Sequence, residues 1–586
     1  MNQKEWTIMI YMAGDNNLAV DMAYAMEQIK GVAATGAASP NLFVYYDGNS
    51  PAIPTLYCDF SEPGKARYVR SYKVPNKLYA VSKKQNENAA DPLSIINFVD
   101  WCVNTVEVET DGEINYGRRA QKYALIFSGH SLGFQDIGLF KDETTGKSMK
   151  MLDFYGVLQR LTWTKEQLEA DADNHDWDAD VRATETMPLI GQKLDILGFD
   201  SCVMGMLEVG YQFNDVAETL IASEGSVPSA GWTYAKILGC LTRENSRNID
   251  VRTVGELFVR EFIGSQDSYT VGGVSVDMAA WDLNRFAHLA DAFDGLSEVL
   301  LECFKDPETR IYRQMERVIL QVHWKCQSYM YDQNVDLGDF CELLDQECGK
   351  VADELGEGQD VDFLRNEVQE RCRAVLRELN EAVILSGFSG GGYQYSNGVS
   401  VFFPWSREAY EVSRKNYESL WFTKDVKRKQ RSWADFLKKY LYEVTWRRCE
   451  LPAKEVPVGA RYRYQSGVKF DERYDAGLYL GAAAAAGVGA GNGKIAGQEG
   501  TKIAGQEGTK IAGQEGTKIA GQEGTKIAGQ EGTKIAGQEG TKIAGQEGTK
   551  LAGGGSSRYF ESLKLFKNIE SRWDISGFTK KPNGRP

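Results

Sequence analysis

Four histidines and ten cysteines are the scarce reactive side chains of this 586-residue chain. Cys202 stands apart from the other thiols because of where its run stops. The stretch LDILGFDSCVMG, from Leu194 to Gly205, begins as a buried strand and ends on an acid, a hydroxyl and a thiol. A structural cysteine sits more comfortably inside an apolar run than at its exit. The residues that follow have helical spacing, which places the sulfur near a helix N-terminus. There the dipole and free N–H groups favour the thiolate, the form that attacks carbonyl carbon. His130 is the histidine that suits it, since it follows the apolar run YALIF and a Ser-Gly pair and precedes SLGF, on a loop at a strand's end. An imidazole beside a thiol completes a nucleophile and acid pair. Two adjacent parallel strands, one ending in each residue, would join them.

The other combinations are weaker. His175 lies in an acidic stretch and His288 on a helical one, contexts that suit a solvated or packed ring. His323, Cys326, Cys341 and Cys348 have zinc-ligand chemistry without the usual paired spacing, so buried helix thiols are the default. The run DADNHDWDAD has oxygen ligands for calcium but lacks the glycine at position six and the glutamate at position twelve of a calcium loop, and reads as a solvated charge run. No cofactor or metal is therefore expected, and calcium has no recognisable site. GVGAGNG mimics a dinucleotide fingerprint in spacing only, with no strand before it and no helix after it.

The elements that must position Cys202 and His130 follow from the pattern around them. Residues 1–245 alternate strand-like runs (WTIMIYMAG, NLFVYYDG, YALIFSGH, LDILGFD, TLIASEG) with helical ones, which predicts an α/β fold whose mostly parallel sheet carries helices on both faces. Ligand sites of such sheets lie beyond the carboxyl ends of the strands, where both SGH and DSC fall. Residues 163–192 are polar and acidic and read as an exposed insertion. Residues 246–480 read as a largely helical second lobe with a few strands, packed on the core. Residues 481–553 run from an Ala/Gly-rich stretch into seven copies of KIAGQEGT beginning at Lys494. One isoleucine per repeat offers little apolar surface against the entropy of ordering, so a disordered spacer is expected, with a stacked solenoid as the alternative. Residues 554–586 form a short C-terminal segment that regains aromatics.

Sixty-seven basic against 82 acidic residues give a net charge of −15, which repels phosphate backbones and anionic lipid and argues against nucleic-acid or membrane partners. The apolar run at the N-terminus, Trp6 to Met12, is too short for a signal peptide, and no run approaches a membrane span. Read as it stands the sequence implies a cytoplasmic monomer, or a secreted protein if a leader had been trimmed from it.

The blocks WTIMIYMAGDNNL, IFSGHSLGF, LDILGFDSCVMG, IASEGSVPSAGWTY, VDLGDF and GVSVFFP, spread in order over residues 5 to 450, resemble the clostripain family of cysteine peptidases, relatives of caspases, gingipains and legumains. The resemblance implies a caspase-like core and a thiol endopeptidase that passes through a thioester. Cys202 would be the nucleophile and His130 the residue that protonates the leaving amine. The backbone N–H groups of Cys202 and Ser131 would form the oxyanion hole. Asp200, two residues before the cysteine, would line the pocket for the residue preceding the cut bond, implying arginine or lysine there and substrates rich in basic residues. Glu224 would either add charge to that pocket or be a solvated loop acid. The chain departs from the family in carrying Ser131 where glycine is usual and Ser201 where alanine is usual. Relatives are often activated by cutting themselves between the histidine and the cysteine, for which Lys141, Lys147, Lys150 and Arg182 are the basic residues at hand. The rival readings are a caspase-like fold kept for peptide binding without catalysis, and a scaffold whose repeats space two docking modules.

Overall fold

The computed structural model describes residues 4–444 apart from 34–39, 50–52, 63, 75–76, 80–85, 106, 111–112, 117, 137–138, 174–183, 243–248, 267–274, 330–332 and 425–431, together with four dipeptides in the repeats. His175, Arg182 and the segment 554–586 lie outside the described residues.

Among the described residues, fourteen strands precede the repeats: β1 (Trp6–Gly14), β2 (Asn41–Gly48), β3 (Leu56–Asp59), β4 (Arg67–Arg70), β5 (Glu107–Thr110), β6 (Glu113–Tyr116), β7 (Lys122–Ser128), β8 (Leu194–Asp200), β9 (Ala217–Ala222), β10 (Val276–Asp282), β11 (Ser328–Tyr329), β12 (Asn334–Asp336), β13 (Val383–Ser389) and β14 (Ser400–Phe402). Nine of them form the central sheet, in the order β13-β10-β9-β8-β7-β1-β2-β3-β4. The five in the middle, β2-β1-β7-β8-β9, are parallel, and both flanks are antiparallel. The α/β reading therefore holds.

The near-continuous apolar runs are explained by burial on two faces. Along β1, Trp6, Ile8, Ile10 and Met12 enter one core with the helices Ala19–Ala33, Tyr234–Thr242 and Val251–Ile263. Met9, Tyr11 and Ala13 enter the other, with the helices Pro92–Asp100 and Met151–Thr162. Successive side chains of a strand point to opposite faces, so a strand covered twice must be apolar at every position. Chain order reverses between β1 and β7: β1 connects to β2 on one side, and β7 begins the run to β8 and β9 on the other. That reversal opens a crevice at the carboxyl ends, the place where such sheets bind ligands.

The sheet does not end at residue 245. β10 and β13 extend it, and the helices Phe286–Cys303, Arg310–Lys325, Leu337–Leu355 and Glu370–Ala382 pack into the same core as β7 and β8. The described helices of this part therefore share a core with the sheet. The stretch 163–192 is also less detached than its composition suggests: Leu168, Ala172, Leu189 and Ile190 are buried, while Lys165, Glu166 and Gln167 are exposed. A further small sheet, β11-β12-β14, clamps the turn after β8, for Ser400 donates to Gly205 O through its N–H at 2.8 Å and its hydroxyl at 2.9 Å. In the repeats, Lys518–Ile519 pairs in parallel with Lys534–Ile535, and Lys526–Ile527 with Lys542–Ile543.

Candidate active site

β7 and β8 are adjacent and parallel, with Ser128 opposite Asp200. Two residues further, each chain reaches its reactive side chain. Gly129 N donates to Asp200 O at 3.3 Å, and Ser131 Oγ donates to Cys202 O at 2.6 Å. His130 is held between these two cross-links to the Cys202 loop. Ser131, in the place of the family's glycine, ties the loops together. Among the described residues the N–H groups of Ser131 and Cys202 have no acceptor, which leaves both for an oxyanion.

The helix expected directly after Cys202 is not there. The chain turns at Val203, whose φ of 61° is the left-handed region, an outlier for a β-branched residue costing about 1–2 kcal/mol. Val203 N then bonds Gly225 O at 2.9 Å and Gly205 N bonds Ser223 O at 2.7 Å, so this backbone is satisfied by the exit of β9. The helix Leu207–Gln212 starts only beyond it, too far on to stabilise a thiolate. Burial pushes the Cys202 thiol up to about 11; the charges of Asp200 and Asp277 add to this, and bonds to Val227 and Ser226 work against it. The resting sulfur is a thiol, with Val227 N at 3.4 Å. His130 is also neutral. Burial first, and then the charge of Lys141, bring it down to about 3. Its Nε2 lies 2.7 Å from Asn17 Oδ1, at the exit of β1.

Asp200 is buried, and its carboxylate accepts from Ser128 Oγ at 2.9 Å, Tyr234 OH at 2.9 Å and Trp232 N at 2.9 Å. Burial raises it to about 6 despite these three donors. Gly231, at φ 67°, passes so close that a Cβ there would meet Asp200 Oδ2 at 2.7 Å, so only glycine lets the Trp232 segment cover the acid. Glu224 is neither a solvated loop acid nor an open pocket wall. It is fully buried, its Oε2 accepts from Gly398 N at 2.9 Å, and burial with the neighbouring Asp336 and Asp277 pushes it well above the usual range. Asp277 accepts from Glu224 N at 2.6 Å and Gly225 N at 2.9 Å, and burial raises it to about 7. Four buried acids, Asp200, Glu224, Asp277 and Asp336, thus gather behind the thiol, and among the described residues none makes an ion pair.

Asn17, Asp277, Trp232 and Tyr234 take part although no role was assigned to them from sequence. Asn17 could have been suspected from its place after WTIMIYMAG, at the same sheet edge as His130. Nothing in the sequence marks Asp277, which arrives on an antiparallel strand 75 positions after Cys202.

The zinc-like set is not a site. His323 is sandwiched between Phe403 and Trp405, with ring centroids 3.8 and 3.7 Å away, and Cys326, Cys341 and Cys348 are buried core thiols. His288 is exposed. Among the described residues, Asp15, Asp47 and Asp142 are the one group of acids close enough to share a metal ion, with one oxygen of each within 4.8 Å of the others. No helix among the described residues is long and apolar enough to cross a membrane.

Known proteins resemble this chain. The profile of the Clostripain family matches residues 181–440. Clostripain of Hathewaya histolytica is 25% identical over 458 residues, covering 70% of this chain and 76% of that protein. Among solved structures, an inactive zymogen C11 protease from Parabacteroides distasonis covers 73% of this chain and 99% of its own at 18% identity and a TM-score of 0.45. A secreted C11 cysteine protease from Bacteroides thetaiotaomicron, in complex with an irreversible peptide inhibitor, covers 71% and 98% at 15% identity and a TM-score of 0.43. The chain is similar to the clostripain family over residues 181–440, and it is a cysteine peptidase.

Proposed function

We propose that the protein is an endopeptidase that cuts after arginine or lysine, with Cys202 as nucleophile and His130 as its acid and base. The observation that carries the specificity is the set of buried acids behind the thiol, which have no ion-pair partner among the described residues. A cationic side chain entering there restores the missing positive charge, whereas an apolar one leaves the carboxylates uncompensated. Asp200 meets the substrate cation once the Trp232–Tyr234 segment yields its hydrogen bonds. The same cation lowers the thiol's pKa by offsetting Asp200 and Asp277, so the correct substrate helps create its own nucleophile.

In the reaction, the Cys202 proton passes to the imidazole as sulfur attacks the carbonyl carbon. The N–H groups of Ser131 and Cys202 receive the oxyanion. The tetrahedral adduct collapses to a thioester as His130 protonates the leaving amine, and water, deprotonated by the same ring, then releases the acid. Self-cleavage between His130 and Cys202 fits the same specificity. Lys147 and Lys150 are exposed in the loop after His130, while Lys141 is buried.

The test is a set of peptide amides differing only in the residue before the cut, assayed with wild type, Cys202→Ala and Asp200→Asn. Cleavage after arginine and lysine by wild type, none by Cys202→Ala and a flattened preference in Asp200→Asn is expected. A wild type that prefers apolar residues would end the specificity reading.

A further inference from the structure

We infer that Asn17 is a positioning residue of this peptidase, holding the His130 ring in the one neutral tautomer that leaves Nδ1 free to accept a proton. The inference rests on the assignment of His130 as the base.

An amide oxygen can only accept, so a ring nitrogen 2.7 Å from Asn17 Oδ1 must carry the hydrogen. The ring is neutral in this buried place, so its single proton is on Nε2 and its lone pair on Nδ1. When the ring takes the thiol's proton, the same oxygen faces the positive charge and stabilises it in a site where burial otherwise opposes it.

The loop carrying Asn17 is built to hold it still. Asn16, fully buried beside it, donates through Nδ2 to Ala13 O at 2.9 Å and Lys141 O at 3.1 Å, and its Oδ1 accepts from Leu18 N at 2.9 Å. Glu143 N donates to Asp15 O at 2.7 Å, and Phe140 N to His130 O at 3.1 Å. The β1 exit, the His130 loop and residues 140–143 are therefore one bonded unit. Three neighbouring parallel strands, β1, β7 and β8, deliver amide, imidazole and thiol side by side at their carboxyl ends.

The experiment compares Asn17→Ala and Asn17→Asp with wild type, Cys202→Ala and His130→Ala. It measures kcat and KM on an arginyl peptide amide across pH, together with thermal stability. Asn17→Ala should lower kcat by about 10- to 100-fold with KM nearly unchanged. Its melting temperature should hold, since the side chain is exposed. Asn17→Asp keeps an acceptor and adds a charge. It should recover part of kcat and move the acidic limb of the pH profile up by about one unit. A wild-type kcat and pH profile in Asn17→Ala, beside an inactive Cys202→Ala, overturns the inference. So do equal losses in both Asn17 variants with lowered melting temperatures and an unmoved limb, because that is a structural role. Activity surviving in Cys202→Ala would instead bring down the nucleophile assignment on which the inference rests.

Discussion

Two regions of this molecule bring a histidine together with thiols in sequence, and only one of them stands at the carboxyl ends of the parallel strands. At the sheet edge, His130 and Cys202 leave adjacent strands, and Cys202 is the one free cysteine among the described residues that is not buried. In the helical part, His323 lies stacked between two aromatic rings, and Cys326, Cys341 and Cys348 are sealed in the core. Burial brings both imidazoles down to about 3, so a depressed pKa does not separate them. What separates them is what the ring touches. His323 fills a slot between Phe403 and Trp405, as a core side chain does, and burial leaves its Nε2 without a partner. His130 spends its Nε2 on a polar side chain at the crevice, and its loop is cross-linked to that of Cys202, a thiol that is only partly buried.

The sharpest way to break this contrast is to remove the thiols in turn. Cys202→Ala should abolish cleavage of a basic peptide amide, whereas Cys326→Ala should leave kcat within about twofold and lower stability instead, by about 1–2 kcal/mol. Equal loss of activity in both would mean that the helical thiol takes part in catalysis. The histidines come next. His323→Ala opens a cavity between two aromatic rings and should cost about 3 kcal/mol in denaturant unfolding, with kcat/KM retained. His130→Ala should do the reverse, losing about 100-fold or more in kcat with little change in unfolding free energy. The contrast fails if His323→Ala is the inactive one.

Chemical labelling sharpens the comparison further. Among the nine described cysteines, native protein treated with iodoacetamide should be alkylated at Cys202 alone, which peptide mapping by mass spectrometry would reveal. Its rate should still be climbing at pH 9, since the thiol titrates at about 11. Asp200→Asn removes one of the charges that raise that thiol and should shift the rate profile to lower pH. A profile unmoved by this change would mean that Asp200 does not bear on the sulfur.

A pH-dependent effect concerns Glu208, a fully buried acid in the helix Leu207–Gln212 that accepts from Phe402 N at 3.0 Å and is raised by burial to about 7. A carboxyl raised on folding contributes stability that is complete below its unfolded pKa and is lost as pH rises through 7. Glu208→Gln carries no such penalty. Its stability relative to wild type should therefore improve by up to about 3 kcal/mol between pH 4.5 and pH 8. A constant difference across that range would show that Glu208 ionises without cost.

The layout of the fold was readable because a strand buried on both faces has to be apolar throughout, and YALIF and LDILGF are. The proposed pair could be nominated because both residues stand just past such runs. Glu224 was not readable. Its run, IASEGS, looks like any loop with an acid, and only the arrival of Gly398 and Asp336 from the far end of the chain makes it a buried group. The helix expected after Cys202 was misread because VMGMLEV has helical spacing, while the backbone there is claimed first by the exit of β9 through Gly225 and Ser223. A local pattern loses to a neighbouring strand end that offers hydrogen bonds at closer reach.

The sequence by itself determined a doubly covered parallel sheet and the two side chains at its edge, because apolar periodicity and strand exits are local properties. Only the tertiary structure decided the protonation of the dyad, the acids behind it and the asparagine against the imidazole. Those depend on which remote segments exclude water from the crevice, and charge in a dry place is set by neighbours that the order of residues does not reveal.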